Sequence, residues 1–432
     1  MFVSSNLSTN EQGHLTIGGV DALSLAKEYG TPLYVMDEDT IRNACRDFVR
    51  SMNEYYDGNG MVTYASKAFS CKEIYRIMME ENMGVDVVSG GELYTALSVG
   101  FPAEKIHFHG NNKTYEELEL AMKNDVGEII VDNLEELNTL DGIAGKMGKK
   151  AGIMFRVKPG VDAHTHDFVQ TGKIDSKFGF AIETGEAFEA VEEALKKENI
   201  ILKGLHCHIG SQILDVDPFV FTAEVMFRLM LKIRDELKFT VSELNLGGGF
   251  GIKYLPEDDA KDYDTFMKSV SVKVKELCKE NNYPIPFIVI EPGRAIVANS
   301  GTTLYTVGSV KNIPNIKTYV SVNGGMTDNP RYALYQSPYT VAIADRADKD
   351  GDTLVTVAGR NCESGDIIQE NVYLNSPKAG DTLAVFCTGA YNYSMASNYN
   401  RVPRPAVVMI KDGKSRVIVK RETYEDIIKN DI

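Results

Sequence analysis

The apolar and polar positions between residues 60 and 300 follow one repeating pattern, a short apolar run and then an amphipathic stretch. The runs are rich in β-branched residues, which favours strands, and the stretches that follow show helical spacing at 72–81, 114–124 and 217–237. The pattern predicts eight strands: MVTYAS (61–66), VDVV (85–88), KIHFH (105–109), EIIVD (128–132), GIMFRV (152–157), LKGLHCH (202–208), SELNL (242–246) and PFIVIE (286–291).

Eight β/α units in succession predict an α/β protein built on a TIM barrel. An open, doubly wound sheet is the alternative, because periodicity alone does not show that the sheet closes. After about residue 300, strand-like runs separated by Gly, Asn and Asp predict a mostly antiparallel β domain. The N-terminal segment ends in the strand-like PLYVMD and is assigned to that β domain. We therefore predict a barrel at 37–299 and a β domain formed by 1–36 with 300–432.

Composition and charge limit the kinds of molecule that this protein can bind and the compartment in which it works. The chain has 432 residues, and its net charge of −15 opposes binding to nucleic acid or to an anionic membrane. The six cysteines form no C-x-x-C pair, which is typical of reduced thiols in the cytoplasm. The N-terminus lacks the apolar segment of a signal peptide, and no run of 18 apolar residues occurs. These features predict a cytoplasmic protein with a small-molecule ligand.

Polar residues follow most of the predicted strands, at the end where TIM barrels bind their substrates. Each has an ordinary explanation when taken alone, such as a solvated lysine, a tight glycine turn, a structural ion pair or a histidine satisfied by packing. Their occurrence after successive strands favours a shared site. The residues, in strand order, are Lys67, His109, Arg156, His206, His208, Gly247–Gly249 and Glu291–Arg294.

This set of side chains suits one cofactor. Glycines after the seventh strand let backbone N–H groups approach a phosphate, and Arg294 adds a charge-assisted contact. Lys67 can form a Schiff base with an aldehyde, Glu291 can keep a pyridine nitrogen protonated, and His208 can stack on the ring. Together they predict pyridoxal 5′-phosphate. A zinc site made from His206 and His208 with His164 and His166 lacks a completing carboxylate or thiol, so no metal is predicted.

The chain resembles the diaminopimelate decarboxylase family, within the fold-type III, alanine-racemase-like enzymes that use pyridoxal 5′-phosphate. The resemblance covers essentially the whole chain and implies a β/α barrel followed by a β domain, in a head-to-tail homodimer with shared active sites. Residues 331–335 read RYALY where the family commonly has RPALY, and the C-terminal run at 401–405 also departs. The motifs that carry the resemblance are YASKAF (64–69), GLHCHIGSQ (204–212), LNLGGGFG (244–251), EPGRAIVANSG (291–301), NPRYALY (329–335) and CESGD (362–366).

The resemblance also implies residue roles. Lys67 would bond the cofactor, His208 would stack on its ring, and Glu291 would face the pyridine nitrogen. The implied phosphate-binding and cofactor-contacting residues are Ser211, Gly248, Gly249, Glu291, Pro292, Gly293, Arg294 and Tyr391. The implied substrate-binding residues are Arg294, Arg331, Tyr335, Glu363 and Tyr391. Cys362 would be the proton donor, and it would reach the site of the other subunit together with Glu363.

The implied reaction is the loss of CO2 from meso-2,6-diaminopimelate, which gives L-lysine. Three alternatives stay open: a decarboxylase of another basic or carboxylated amino acid, an amino-acid racemase of the same fold type, and a non-catalytic pyridoxal phosphate carrier. Arg331 and Glu363 argue against a simple ornithine enzyme, and the carboxylate of Glu291 argues against a racemase. The loop at 162–175 is either a lid or an ordinary surface excursion.

Overall fold

The computed structural model describes residues 2–161 and 176–432. The chain divides into two compact units. The β unit comprises Met1–Asn43, Ile252–Asp259 and Arg294–Ile432, and the barrel unit comprises Ala44–Gly251 and Ala260–Gly293. The loop at 162–175, with His164 and His166, lies outside the described residues.

The described residues form 21 strands and 12 α-helices. The strands are β1 (Leu7–Thr9), β2 (Leu15–Ile17), β3 (Val20–Asp21), β4 (Leu33–Asp37), β5 (Gly60–Ala65), β6 (Gly84–Val87), β7 (Ile106–Phe108), β8 (Glu128–Val131), β9 (Ala151–Lys158), β10 (Phe180–Ala181), β11 (Ile200–Cys207), β12 (Glu243–Asn245), β13 (Phe287–Ile290), β14 (Gly301–Ile313), β15 (Lys317–Val322), β16 (Val341–Ile343), β17 (Thr353–Ala358), β18 (Ile367–Leu374), β19 (Thr382–Phe386), β20 (Ala406–Lys411) and β21 (Lys414–Val419). The helices are α1 (Ala22–Tyr29), α2 (Glu38–Tyr55), α3 (Lys72–Glu80), α4 (Gly90–Leu97), α5 (Tyr115–Lys123), α6 (Leu134–Met147), α7 (Glu186–Ala194), α8 (Asp217–Leu237), α9 (Tyr263–Glu280), α10 (Arg294–Val297), α11 (Arg331–Tyr335) and α12 (Tyr424–Ile428).

The barrel unit confirms the predicted TIM barrel. In the described part of this unit, eight parallel strands pair in the order β9-β11-β12-β13-β5-β6-β7-β8, and β8 pairs with β9 to close the ring. The closing pair aligns Ile129 with Ile153. Ile130, Met154 and Val289, from three of these strands, form a packed cluster of the core. Closure brings the carboxyl ends of all eight strands to one mouth, where polar residues follow the apolar runs.

The β unit joins the N-terminal segment to the C-terminal part of the chain, as predicted. Strand β4 pairs antiparallel with β14, with Leu33 opposite Leu304, and parallel with β20, with Leu33 opposite Ala406. All five residues of β4 are buried. Most other pairings in this sheet are antiparallel, with β15 and β17 parallel. No helix in the described part of the chain is long and apolar enough to cross a lipid bilayer.

A buried ion pair supports the wall of the barrel unit. The Lys113 ammonium lies 2.8 Å from a carboxylate oxygen of Glu136 and donates to the carbonyl oxygens of Gly110 and Ile130, each at 2.8 Å. Both charged side chains are almost fully buried. Burial raises the pKa of Glu136 to about 7, although the Lys113 ammonium opposes this shift. The pair therefore holds the turn after β7 against β8. Removal of one partner would leave the other charge buried without a counter-ion and would destabilise the fold.

We expect Lys113→Met to lower the free energy of unfolding by about 3–5 kcal/mol, because Glu136 then stays buried without a partner charge. Without the ammonium, the pKa of Glu136 in the folded state rises further above its unfolded value. The folded variant therefore holds a proton on Glu136 at a pH where the unfolded chain has released it, and rising pH then favours the unfolded chain. The loss in free energy of unfolding should thus be larger at about pH 8.5 than at about pH 6.5. Urea unfolding at both pH values measures it.

The matched control is Lys123→Met, which removes an exposed ion pair with Glu119. Such a pair contributes only about 0.3–0.5 kcal/mol. Equal losses for the two variants would show that the buried pair is not a structural support.

Candidate active site

Glu291 is the centre of a buried hydrogen-bond network at the mouth of the barrel unit. One carboxylate oxygen accepts from His109 Nε2 at 2.8 Å and from Asn245 Nδ2 at 2.7 Å. The other accepts from His206 Nε2 at 3.0 Å. The four side chains stand at or just beyond the ends of β7, β11, β12 and β13, so barrel closure assembles them.

The network keeps Glu291 ionised. Burial by itself raises the pKa of Glu291, but His109 and His206 outweigh burial and hold that pKa well below its ordinary value. Burial lowers the pKa of His109 to about 3 and also lowers that of His206, so both rings are neutral donors. A carboxylate offers about four lone-pair sites. Three are occupied here, which leaves Glu291 able to accept from one further donor.

Lys67 stands after β5, in the 3-10 turn Ser66–Ala68. Its side chain is exposed, whereas those of Ser66 and Ala68 are buried. No hydrogen bond or ion pair engages its ammonium within the residues that the structure describes. Burial and the Glu291 charge raise the pKa of Asp86 well above its ordinary value, and the Lys67 ammonium opposes them. A lysine in this position is available for chemistry.

Glycines after β12 let the backbone segments at the barrel mouth touch. A Cβ on Gly248 would lie 2.0 Å from the carbonyl oxygen of Glu291, and one on Gly249 would lie 2.6 Å from that of Gly210. Gly249 also has a φ of +116°, which L-residues rarely adopt. No side chain fits here, so the turn offers bare backbone of the kind that can approach a phosphate closely.

His208 and Ser211 lie beyond the end of β11. The Gly248 amide donates to His208 Nδ1 at 3.3 Å, which fixes the imidazole against the glycine turn. Desolvation, and after it the Lys67 ammonium, lowers the pKa of His208 well below its ordinary value. His208 is therefore a neutral aromatic ring. Ser211 lies in the bend that follows and is half-buried.

Two arginines of the β unit share one tyrosine ring. The guanidinium carbon of Arg331 lies 3.7 Å from the ring centre of Tyr254, and that of Arg294 lies 5.6 Å from it and 4.9 Å from the ring centre of Tyr391. Arg294 also donates to the Tyr254 hydroxyl. Arg331 is 8% exposed, and within the described residues no carboxylate pairs with it. A buried cation without a counter-ion is typical of a site that binds an anion.

Three further predicted residues also lie in the β unit. Tyr335 ends α11 and is half-buried, whereas Cys362 and Glu363 are exposed in the turn between β17 and β18. The Cys362 amide donates to Asn400 Oδ1 at 2.7 Å. Neither the thiol nor the Glu363 carboxylate bonds to another predicted site residue in the described part of the chain.

The structure adds residues that the sequence did not assign. The sequence places His109 and His206 at strand ends without assigning either a role, and both donate to Glu291. Asn245 was missed, although one amide inside the apolar run SELNL is a usable signal. Tyr254 was missed because a lone tyrosine in a connecting segment carries no pattern.

The atoms of His109, His206 and Glu291 lie within 4.8 Å of one another, close enough to be considered as metal ligands. Both imidazoles direct Nε2 at the carboxylate, so hydrogen bonds account for the group without an ion. His164 and His166 of the alternative zinc site lie outside the described residues.

The comparisons with known proteins fit this geometry. The family described as pyridoxal-dependent decarboxylase, pyridoxal binding domain, matches residues 38–298, which defines the class as pyridoxal-dependent decarboxylases. Diaminopimelate decarboxylase of Bacillus subtilis strain 168 is 49% identical over 100% of this chain and 98% of its own. That of Staphylococcus aureus strain COL is 44% identical over 98% of each. The chain belongs to the diaminopimelate decarboxylase family.

Solved structures agree in fold. Diaminopimelate decarboxylase from M. jannaschii has a TM-score of 0.93 at 33% identity, and the match covers 100% of this chain and 99% of that one. The enzyme from Helicobacter pylori complexed with L-lysine has a TM-score of 0.85 at 31% identity, over 95% and 98% of the two chains.

Pyridoxal 5′-phosphate is the cofactor of this class, and three features of the barrel unit fit it. Glu291 has room for one more donor, as a protonated ring nitrogen requires. The Lys67 ammonium has no hydrogen-bond or ion-pair partner among the described residues, as a covalent attachment point requires. The turn at Gly248 and Gly249 carries no side chains, so a phosphate can approach its backbone.

Proposed function

We propose that this protein removes a carboxylate from the D-centre of meso-2,6-diaminopimelate to give L-lysine and CO2, the last step of lysine biosynthesis. Relatives at 40–49% identity over almost their full length carry the name diaminopimelate decarboxylase. Lysine, which is the product of this reaction, is bound in two of the solved relatives. The observation that carries the choice of substrate is Arg331, a buried arginine that donates to the carbonyl oxygens of Ser337 and Pro338 but pairs with no carboxylate among the described residues.

Residues at the barrel mouth, with Arg294 of the β unit, would hold the cofactor and tune it. Lys67 would bond it through Nζ, and the ionised carboxylate of Glu291 would accept a hydrogen bond from its ring N–H. His208 would offer the ring an uncharged stacking surface. Gly248 and Gly249 would bind the phosphate together with the further residues Ser211, Pro292, Gly293 and Arg294. Bound pyridoxal 5′-phosphate supplies an electron-poor ring that accepts the electron pair of the breaking carbon–carboxylate bond.

The β unit recognises the substrate. The far end of meso-diaminopimelate carries a carboxylate and an ammonium. Arg294 and Arg331 bind the carboxylate through charge-assisted hydrogen bonds, and Tyr335 and Tyr391 add hydroxyl donors. Glu363 pairs with the ammonium. A diamine-type substrate without the far carboxylate leaves the buried Arg331 unpaired and is rejected for that reason.

Cys362 donates the proton that replaces the lost carboxylate. Its thiol and Glu363 are exposed on one chain, which suits residues that serve the site of a second chain in a head-to-tail homodimer. A cysteine thiol is a competent acid near neutral pH. We also infer a cytoplasmic location, since none of the six cysteines forms a disulfide in the described part of the chain.

The alternatives are less well supported. A racemase of this fold type is expected to place an arginine at the ring nitrogen, whereas we assign Glu291 to that position in this chain. A non-catalytic carrier would not need Arg331 and Tyr254 in the β unit. The substrate of a lysine or ornithine decarboxylase has no second carboxylate at its far end for Arg331 to bind.

A substrate panel tests the proposal. We expect the wild type to release CO2 from meso-diaminopimelate with high preference over L-lysine and L-ornithine. Arg331→Met should lower kcat/KM for meso-diaminopimelate on the order of 10²- to 10³-fold, mostly through KM, because a buried charge pair is lost on binding. Steady-state CO2 release measures both constants.

The control is Arg360→Met, since Arg360 is an exposed arginine of the same unit and should keep wild-type constants. Faster turnover of lysine or ornithine by the wild type would refute the substrate. An unchanged KM in Arg331→Met would refute the carboxylate role.

A further inference from the structure

Asp366 anchors the turn that carries Cys362 and Glu363. One carboxylate oxygen accepts from the Met326 amide at 2.6 Å, and the other accepts from the amide and the side chain of Asn361 at 2.7 and 2.8 Å. The backbone of Asp366 adds two bonds, accepting from Gly359 N at 2.8 Å and donating to Glu363 O at 3.1 Å. The residue is 3% exposed. Three hydrogen bonds of the side chain and two of the backbone thus hold Asp366 to the turn and to Met326.

Two glycines make room for this carboxylate. A Cβ on Gly359 would lie 2.2 Å from Asp366 Oδ2, and a Cβ on Gly325 would lie 2.4 Å from Oδ1. Real Cβ atoms do not approach oxygen so closely, so both positions are restricted to glycine as long as the carboxylate stays in place. The pocket is therefore shaped around the Asp366 side chain.

The wall that holds Asp366 is itself fixed, and it leads to the substrate-binding arginine. Asp328 accepts from the Gly325 amide at 3.0 Å and from the Tyr305 hydroxyl at 2.5 Å, which sets the segment 324–329. Pro330 follows, and Arg331 begins α11. The same short segment thus contacts Asp366 through Met326 and ends at Arg331.

The part of the turn that carries Cys362 makes fewer hydrogen bonds to its surroundings. Cys362 N donates to Asn400 Oδ1, and the Tyr399 hydroxyl donates to Cys362 O at 3.3 Å. The side chains of Cys362 and Glu363 are exposed, so within the described chain the backbone determines where they point. The conformation of that backbone depends on Asp366.

We propose that Asp366 is a positioning residue that sets the Cys362–Glu363 turn and couples it to the segment bearing Arg331. The proposal rests on the proton-donor role given to Cys362 above. Asp366 touches neither substrate nor cofactor; it acts through the place in which it holds the thiol and the Glu363 carboxylate.

Asp366→Asn tests the proposal, because an amide of the same shape cannot accept from all three N–H donors. We expect kcat of the cofactor-loaded enzyme to fall about 10- to 100-fold, as misplacement of a reacting group by a fraction of an ångström does. Combined with Cys362→Ala, the Asp366 change should lower kcat much less than it does in the wild type, because the thiol is gone and only the displacement of Glu363 remains. Losses that multiply in the double variant would overturn the proposal.

A second readout does not depend on turnover. Cys362 is the exposed one of the six cysteines, so iodoacetamide labelling of the holoenzyme reports on it. Asp366→Asn should change the labelling rate by about threefold or more. Gly359→Ala, which keeps Asp366 but displaces its carboxylate, should shift the rate in the same direction. An unchanged rate in a folded variant would overturn the proposal.

Asp381→Asn is the matched control, since Asp381 is 2% exposed and binds Arg346 in the same unit. It should lower thermal stability to a similar degree and leave both the labelling rate and kcat unchanged. Equal changes in both variants would mean general loosening and would refute a specific role. If Cys362→Ala alone retains full kcat, the proton-donor role fails, and the labelling rate still decides whether Asp366 positions the turn.

Discussion

Glu291→Gln is expected to lower turnover about 10²- to 10³-fold while the protein stays folded and keeps its cofactor. Glutamine has nearly the same shape, but its NH2 group would face N–H donors from His109, His206 or Asn245. It also carries no charge, so it holds a protonated ring nitrogen weakly. The main effect of the change on turnover is therefore the loss of electrostatic support for the electron-accepting ring.

The pH dependence sharpens this expectation. The donors hold the pKa of Glu291 well below its ordinary value, so the wild-type carboxylate stays ionised in mildly acidic as well as in alkaline buffer. The loss in Glu291→Gln should therefore be the same in mildly acidic and in mildly alkaline buffer. Steady-state kcat at several pH values, with the cofactor content measured by absorbance, gives the answer.

Glu243→Gln is the matched control, because Glu243 begins β12, two residues before Asn245, and no hydrogen bond joins it to Glu291 among the described residues. Its pKa is raised to about 7, mainly by burial and then by Glu128. The substitution should leave kcat within about twofold of wild type, as expected for a buried carboxyl outside the hydrogen-bond network of Glu291. Retained activity in Glu291→Gln would refute the role of this carboxylate.

Lys67→Ala is expected to abolish both the visible absorbance of the bound cofactor and the release of CO2. The variant lacks the one amine that we assign to covalent attachment, and general acid–base help from other groups cannot replace it. Loss of activity by a factor of about 10³ or more is the expected scale for a residue in the reacting set. A wild-type spectrum in this variant would refute the assignment.

Mixing Lys67→Ala with Cys362→Ala tests whether the site is shared between subunits. Each variant alone is expected to be nearly inactive. In a shared-site dimer, random exchange makes half of the dimers hybrid and gives each hybrid one intact site, so about a quarter of wild-type activity should return. Exchange can be followed with differently tagged chains. Proven exchange without any recovery would place Cys362 in the site of its own chain.

The sequence was sufficient for the barrel because a parallel strand between helices has a pattern that periodicity reveals. The predicted runs at 128–132 and 286–291 contain β8 and β13 with shifts of one residue or less at each end. The polar residues at strand ends could also be named, since barrel closure leaves them only one place to meet. Glu291 and Lys67 are predicted in this way.

The hydrogen-bond partners of Glu291 could not be assigned, because they come from strands far apart in sequence. Asn245 approaches Glu291 only once β12 and β13 pair, and His109 only once the ring has closed. Tyr254 is harder still. It lies in Ile252–Asp259, a short connection that belongs to the β unit although barrel elements precede and follow it. No periodicity marks such an excursion.

The central place of β4 in its sheet has a consequence for synthesis. The ribosome completes Leu33–Asp37 about 370 residues before it reaches Ala406, the first residue of β20. At about 5–20 residues per second, roughly 20–70 s pass before that partner strand exists. During this time at least one edge of β4 in the nascent chain has no partner strand. A chaperone that binds extended apolar peptides would bind at this edge. The β unit is therefore the last part of the protein that can be completed.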